Sequence, residues 1–409
     1  MQILMVSEDI PAPGMGGLAK HALALCRALI AAGHTVDLMG NSDFSTASAG
    51  GEVQFGGRFF AELKGQFDGW KEMQLGLFMP PKRSRIAQRF ARAMLRRAAH
   101  YDVIHYHGHL PNVACYIPAR VNFIQTRHDQ GSDCLIHTRY KRGVICTESD
   151  PQACAGCRSW QPNWLQRQCS AMAVRRYRRE VATGFQRHKT VFVSGLLQSN
   201  LQRSFGQGNW GVTLHNFIDP VPLAAARAAA APLPQSGILR VFIAAKLYPA
   251  KGVAQFLAAL MPRLPDWLQL DIAGDGGDEA YLRAQHSHPR LRFHGWQSTA
   301  ATLALAARAH AVVVPSVWEE PCATTVLEAL MLGKTTFALR RGGTPELAAY
   351  ASAPEQLRLF EDMNTLVGCL LQFRHQPDYA LRPALSADAG SAAHALLALY
   401  RLPPGPVPC

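Results

Sequence analysis

Short apolar runs that stop abruptly at polar residues recur along almost the whole chain, with a helix-period window between one run and the next. Ile3 to Val6 is the first such run, followed by a loop from Ser7 to Gly17, a strongly periodic window from Leu18 to Ala32 and a closing Gly33. HTVDLMGN then reads as another strand, so the chain opens with a β-α-β unit of a parallel sheet. DVIHYH at 102–107, VNFIQTRHD at 121–129 and TVFVS at 190–194 repeat the pattern. Each carries its polar residues at the C-terminal end, the edge on which doubly wound sheets hold ligands.

The pattern breaks once, after Asn216, where Pro220, Pro222, an alanine-rich stretch, Pro232 and Pro234 suggest a connection between domains. It restarts with LRVFIAAK, LQLDIAGD, LRFHGW and AVVVPS, which predict a second parallel sheet of the same design. A chain of 409 residues with 48% hydrophobic and 17% charged side chains exceeds one compact core and excludes disorder as its main state. The expected fold class is α/β, with two Rossmann-like parallel-sheet domains facing across a cleft. The N-terminal domain spans 1–216, with a Cys-rich insertion near 130–160. The C-terminal domain spans 217–385, and 386–409 forms a last helix from Ser386 to Tyr400 with a loosely packed Pro-rich tail.

MQILMVSEDI has neither the basic n-region nor the apolar length of a signal peptide, so a cytoplasmic location is expected. The longest apolar stretch, from Ala301, is broken by Arg308, His310 and Pro315 and falls short of a membrane span. Lys and Arg exceed Asp and Glu by 42 to 29, a formal charge of +13 that asks for an anionic partner.

The densest chemistry lies in PSVWEEPCATTVLEALMLGK, from Pro315 to Lys334, where Glu320 and Glu328 stand eight residues apart across a loop-to-helix junction. Thr324 and Thr325 are positioned to cap the helix. Its first amides and its dipole would then hold a phosphate, while the carboxylates accept hydroxyl donors from one extended ligand. The alternative is that both glutamates simply satisfy the helix dipole.

Six ordered stretches together resemble the family 4 retaining glycosyltransferases of the GT-B fold. PS-x-x-x-E-P with LEAL is similar to that family's E-x7-E signature, AAKLYPAKG to its strand-end basic pair and IAGDGGDEAYL to its glycine-rich turn. VFVSGLLQSNL with LHNFIDP looks like its domain crossover, RRGGTPEL like its second glycine turn and GMGGLAKHALALCRALIAAGHTVDLMG like its first loop and helix. The resemblance implies a nucleotide-sugar donor on the C-terminal domain and a glycan or lipid-linked saccharide acceptor on the N-terminal one. It also implies retention at the anomeric carbon and no catalytic cofactor.

Carried over residue by residue, Glu328 would hold the ribose hydroxyls and Glu320 the donor sugar hydroxyls. Lys246 and Lys251 would face the diphosphate, with Gly16, Gly17 and the amides around Ala323, Thr324 and Thr325 completing its cradle. A departing diphosphate gains negative charge, so ammonium groups and oriented N–H groups stabilise the transition state more than the ground state. Two positions depart from the family pattern. Lys246 stands where Arg is common, which removes a bidentate contact, and Ala323 replaces the glycine usual three residues after the first Glu.

His105, His107, His109 and His128 lie at or just after strand ends. His128, in T-R-H-D, resembles the family's cleft histidine, and a neutral imidazole there can relay a hydroxyl proton. His105 reads as a packed structural residue. The sequence has no Asp-x-Asp, so the lysines rather than a metal ion are expected to grip the phosphates.

Cys134, Cys146, Cys154 and Cys157 end in a Cys-x-x-Cys pair. Their spacing suits a closed structural zinc site, the alternatives being free thiols or a redox pair at Cys154 and Cys157. Cys26, Cys115, Cys322 and Cys369 read as small core residues.

The positive charge concentrates in two places. Lys82 to Arg97 carries seven basic residues and no acid, with Ile86, Phe90, Met94 and Leu95 at helical spacing. Arg158 to Lys189 carries eight basic residues against Glu180, interleaved with Trp160, Trp164 and Tyr177. Both segments read as a surface for anionic lipid, with the protein peripheral at the inner face of a membrane, or else as solvated helix faces. A sugar-nucleotide epimerase or phosphorylase on the same scaffold is the alternative function. A nucleic-acid-binding module would use the cysteines and arginines but leaves the glutamate signature unexplained.

Overall fold

A computed structural model describes residues 1–12, 16–49, 53–64, 73–74, 77–78, 81–157, 163–230, 237–374, 378–380 and 385–407. Arg158, Trp160, Pro232 and Pro234, and the last two residues of the tail, lie outside these. The chain divides into two compact units. The first comprises Met1–Arg139, Cys146–Asn216 and Ala389–Cys409, and the second Tyr140–Ile145 and Phe217–Asp388. The C-terminal helix, Ala389–Arg401, therefore belongs to the first unit, where it packs on the helix Gly17–Ala31.

The first unit holds a seven-stranded sheet in the order Val212–Thr213, Lys189–Phe192, Phe123–Arg127, Val103–His107, Gln2–Ser7, Thr35–Asn41, Phe59–Leu63. All its pairs are parallel. Every residue of Val103–His107 and of Phe123–Arg127 is buried, as expected of central parallel strands covered on both faces, and the polar ones among them are hydrogen-bonded inside, as His105 is to Thr126. The helix Pro81–Arg97 turns Phe90 and Met94 fully, and Ile86 and Leu95 partly, into the core around Leu4, Val6 and Ile104. The sheet has therefore taken the apolar side of this helix, and its basic side is what remains exposed. Tyr177 is buried too, its hydroxyl donating to Gly131 O at 3.0 Å, so it is not an interfacial aromatic.

The second unit has a six-stranded parallel sheet in the order Leu291–Gly295, Leu268–Ala273, Leu239–Ala244, Ala311–Val314, Thr335–Leu339, Leu357–Phe360. Val241, Ile243, Leu270, Ile272, Val313 and Phe337 form its core. The helix Val253–Leu260 closes that core with Val253, Phe256, Leu257 and Leu260, the spacing of one helical face.

In both units the chain builds one half of the sheet outward from its first strand and then returns to build the other. The order reverses between Gln2–Ser7 and Val103–His107 in the first unit, and between Leu239–Ala244 and Ala311–Val314 in the second. Loops leaving the C-terminal ends of strands at such a reversal diverge, leaving a crevice in which ligands bind. Among the described residues, no helix is long and apolar enough to cross a membrane.

Candidate active site

The reversal point of the second unit gathers most residues of the predicted donor site. Lys251 and Glu320 meet at 2.5 Å, Nζ to Oε1, and Ser316 Oγ donates to the same carboxylate oxygen at 2.7 Å. Burial alone would push the Glu320 carboxyl upward, but the Lys251 ammonium and the hydroxyl of Ser316 hold it below the ordinary glutamate value, so it is an anion at neutral pH. The Lys251 ammonium also lies 5.1 Å from the centre of the Trp318 ring. Lys246, just beyond the strand Leu239–Ala244, reaches Asp275 at 2.8 Å; both side chains are nearly half exposed, so the pair is well screened.

Close backbone approach explains the glycines. Gly252 adopts φ +71°, and a Cβ there would fall 1.9 Å from Pro315 O. A Cβ on Gly274 would fall 1.8 Å from Ala245 O, and on Gly342 2.4 Å from Glu320 O. The two glycine turns thus press on the segments that carry Lys246 and Glu320, and Gly343 N donates to Glu320 O at 2.8 Å. The helix Thr324–Met331 starts beside them. Contrary to the sequence expectation, neither threonine caps it: Ala323 is the N-cap with no side-chain bond, Thr324 is the first helical residue, and Thr325 Oγ1 reaches back to Ala244 O at 3.4 Å. A helix start without a side-chain cap leaves the amides of its first turn to a ligand. Glu328 lies in the second turn of this helix and is half-buried.

The reversal point of the first unit holds a histidine cluster. His105 is buried, with Nδ1 2.6 Å from the Tyr400 hydroxyl and Nε2 2.8 Å from Thr126 Oγ1, the packed role expected for it. His107 Nδ1 lies 3.0 Å from His128 Nε2, and the His21 ring stands edge-on to His128 with centroids 4.6 Å apart. Burial, with Arg127 adding to it, pushes His128 down to about 3; burial also lowers His105 to about 3 and depresses His21 and His107. All four are neutral at physiological pH, the form in which an imidazole can both accept and donate a proton.

Beside them is a charged group that sequence reasoning missed. His109 bridges Asp129 at 2.7 Å and Asp9 at 3.2 Å, and His137 reaches the same Asp129 oxygen at 3.2 Å. Burial works against a charge on His109, but Asp9 and Asp129 raise its value well above the ordinary one. Asp129 in turn is held well below despite its burial, by His137 and His109. Glu8 closes the network, accepting from the Tyr106 hydroxyl at 2.7 Å. The polar residues that immediately follow the strands, in SED and RHD, were the available signal.

Gly16 is the N-cap of the helix Gly17–Ala31, and among the described residues a Cβ on either Gly16 or Gly17 would meet nothing within 4 Å. Of the four insertion cysteines, Cys154 interacts electrostatically with Cys157 and Cys134, and Arg178 lies 3.3 Å from its sulfur. Among the described residues, the groups with three candidate metal-ligand atoms within 4.8 Å are His21–His107–His128 and His109–Asp129–His137, neither of which includes a cysteine. Cys26 and Cys322 are buried as expected, whereas Cys115 and Cys369 are only half-buried.

Two Rossmann-like parallel-sheet units, each with polar groups converging at its reversal point, give the chain the GT-B fold. Residues 15–221 match Glycosyltransferase Family 4 and residues 238–364 match Glycosyl transferases group 1, and the chain belongs to glycosyltransferase family 4. It is 28% identical over 365 residues to glycogen synthase of Mycobacterium tuberculosis, covering 85% of this chain and 80% of that protein. Among solved structures, the catalytic domain of starch synthase IV from Arabidopsis thaliana, bound to ADP and acarbose, superposes with a TM-score of 0.62 at 16% identity over 98% of each chain. Anabaena Alr3699/HepE in complex with UDP gives 0.58 at 16% identity, over 97% of this chain and 94% of that one. Sucrose-phosphate synthase from Thermosynechococcus elongatus gives 0.60 at 18%, over 98% and 95%.

Proposed function

We propose that this glycosyltransferase moves a sugar from a nucleoside-diphosphate sugar to a glycan or lipid-linked saccharide with retention at the anomeric carbon. The observation that carries this reading is the partly buried Lys251–Glu320 pair beside an uncapped helix start at the reversal point of the second unit. As the anomeric C–O bond breaks, charge builds on the departing diphosphate, and Lys246, Lys251 and the amides at Thr324 and Thr325 meet it. Each charge-assisted hydrogen bond contributes about 1.5–3 kcal/mol. Glu320, kept anionic, accepts donor sugar hydroxyls and Glu328 accepts those of the ribose. His128, kept neutral, handles the hydroxyl proton on the acceptor side. The complexes of similar structures with UDP and with ADP support a diphosphate ligand.

A thermal-shift screen with nucleoside diphosphates and their sugars tests the donor assignment, because a ligand at one hundred times its Kd stabilises by about 2.7 kcal/mol. No response to any of them refutes it. Retention is read from the anomeric configuration of the isolated product, and an inverted product overturns that part alone.

Two further parts of the reading belong here. The cysteine group would hold a structural zinc, a reading that rests on the spacing of Cys134, Cys146, Cys154 and Cys157; a metal-free preparation that keeps its stability and activity removes it. The arginine-rich helices would face an anionic membrane, which suits a lipid-linked acceptor.

A further inference from the structure

The helix Trp164–Arg187 opens with a capping box in which Asn163 Oδ1 accepts from Gln166 N at 3.0 Å and Gln166 Oε1 accepts from Asn163 N at 2.9 Å, so its first turn is held in place. Val174, Tyr177, Val181 and Phe185 face the core. At about 100° per residue, Trp164, Leu165, Met172, Arg175, Arg176 and Arg179 all fall within an arc of roughly 120° on the opposite side. That face is divided along its length. Trp164, Leu165 and Met172 come first, 69%, 64% and 56% exposed, and the arginines follow.

We propose that this face is an interfacial contact for anionic lipid, its apolar end entering the boundary between headgroups and acyl chains while its arginines meet lipid phosphates. The proposal rests on the membrane-facing reading above and gives it a location. Three large apolar side chains within nine residues of one exposed face cost solvation in water, and an interface removes that cost. Charge complementarity points to lipid rather than to a second copy of the chain. The one acid on this helix, Glu180, already accepts from Ser84 and Asn112 and lies 3.4 Å from Arg176, so a copy would bring arginine against arginine. Nucleic acid would satisfy the arginines and leave Trp164, Leu165 and Met172 in water. The helix Pro81–Arg97, joined to this one through Ser84 and Glu180, exposes Arg85, Arg89, Arg92 and Arg96 along one stripe. With its apolar side spent on the core, it contributes attraction and no insertion.

Co-sedimentation of the full chain, without nucleotide, on phosphatidylcholine vesicles and on phosphatidylcholine vesicles containing phosphatidylglycerol tests the proposal. Binding is expected only to the anionic vesicles and weakens with salt. Trp164→Ser/Leu165→Ser/Met172→Ser lowers vesicle affinity by more than about tenfold. Arg175→Gln/Arg176→Gln/Arg179→Gln lowers it by roughly fivefold per arginine and flattens the salt dependence. All six side chains point to solvent, so both variants keep the wild-type melting temperature and nucleotide response. Absence of binding to anionic vesicles at low salt overturns the proposal, as does a serine variant that binds like wild type. So does an oligonucleotide that competes with vesicles yet binds the serine variant equally well, or a wild-type dimer that the serine variant abolishes. A failed nucleotide screen with intact vesicle binding would instead count against the donor site, so the two readings fail separately.

Discussion

Replacing Lys251 by alanine isolates the electrostatics of the donor half-site. In the wild type, burial raises the Glu320 carboxyl but Lys251 outweighs it, leaving the group below its ordinary value. A carboxylate depressed on folding contributes stability that is present above its unfolded pKa and lost as pH falls through the folded one. In Lys251→Ala burial acts against only the hydrogen bonds of Ser316 and Trp318, the carboxyl rises above its ordinary value, and the sign reverses: stability is now lost as pH increases through the raised value. The penalty therefore grows with pH, smallest in acid below the depressed wild-type value and largest above the raised value of the variant. Breaking a buried pair costs about 3–5 kcal/mol; because Lys251 is 27% exposed and water enters in its place, roughly 2–3 kcal/mol is expected here. At about 2–4 °C per kcal/mol, melting of the second unit drops by roughly 4–12 °C at neutral pH. Calorimetry from acid to neutral pH measures it, and Lys251→Ala/Glu320→Gln recovers at least half the loss, because an amide needs no counter-ion. A loss that is the same at every pH, or a Gln that deepens rather than offsets it, refutes the reasoning.

Gly252→Ala places a Cβ 1.9 Å from Pro315 O at φ +71°; the conformation alone costs about 1–2 kcal/mol, so a larger loss in denaturant midpoint and a weaker nucleotide response are expected. Gly16→Ala, whose Cβ meets nothing within 4 Å, stays within about 1 kcal/mol of wild type. His128→Ala lowers sugar transfer by about 10²–10⁴ in a product assay while the nucleotide-induced thermal shift is kept, since the proton and the diphosphate are handled by different groups. Asp129→Asn leaves His109 and His137 without a shared anion. Because the lost group is a depressed carboxylate, the destabilisation is greatest at neutral pH and shrinks in acid, which chemical denaturation at a series of pH values will show.

The doubly wound architecture was legible because strands buried on both faces are largely apolar and end where polarity resumes, as ILMV before Ser7 and AVVV do. The donor segment was legible for a related reason: the grammar of a loop entering a helix start is local. What local grammar mis-assigned was capping, since Thr324 and Thr325 suit an N-cap by type, yet the chain turned at Ala323 and spent Thr325 on Ala244 O. It also missed the use of Asp9, Asp129 and His137, which lie up to 128 residues apart in the chain and become partners only when three strand ends converge.

The fate of the apolar residues on the two basic helices divides along the same line. Sequence by itself determined that Lys82–Arg97 is a basic amphipathic helix and that Arg158–Lys189 is strongly cationic with aromatics interleaved, since those properties follow from periodicity and composition alone. Tertiary structure decided that Phe90, Met94 and Tyr177 go to the core while Trp164, Leu165 and Met172 stay in the open. Periodicity shows that a helix has an apolar side, but which apolar surface lies against it depends on sheet order, set by contacts between residues far apart in the chain.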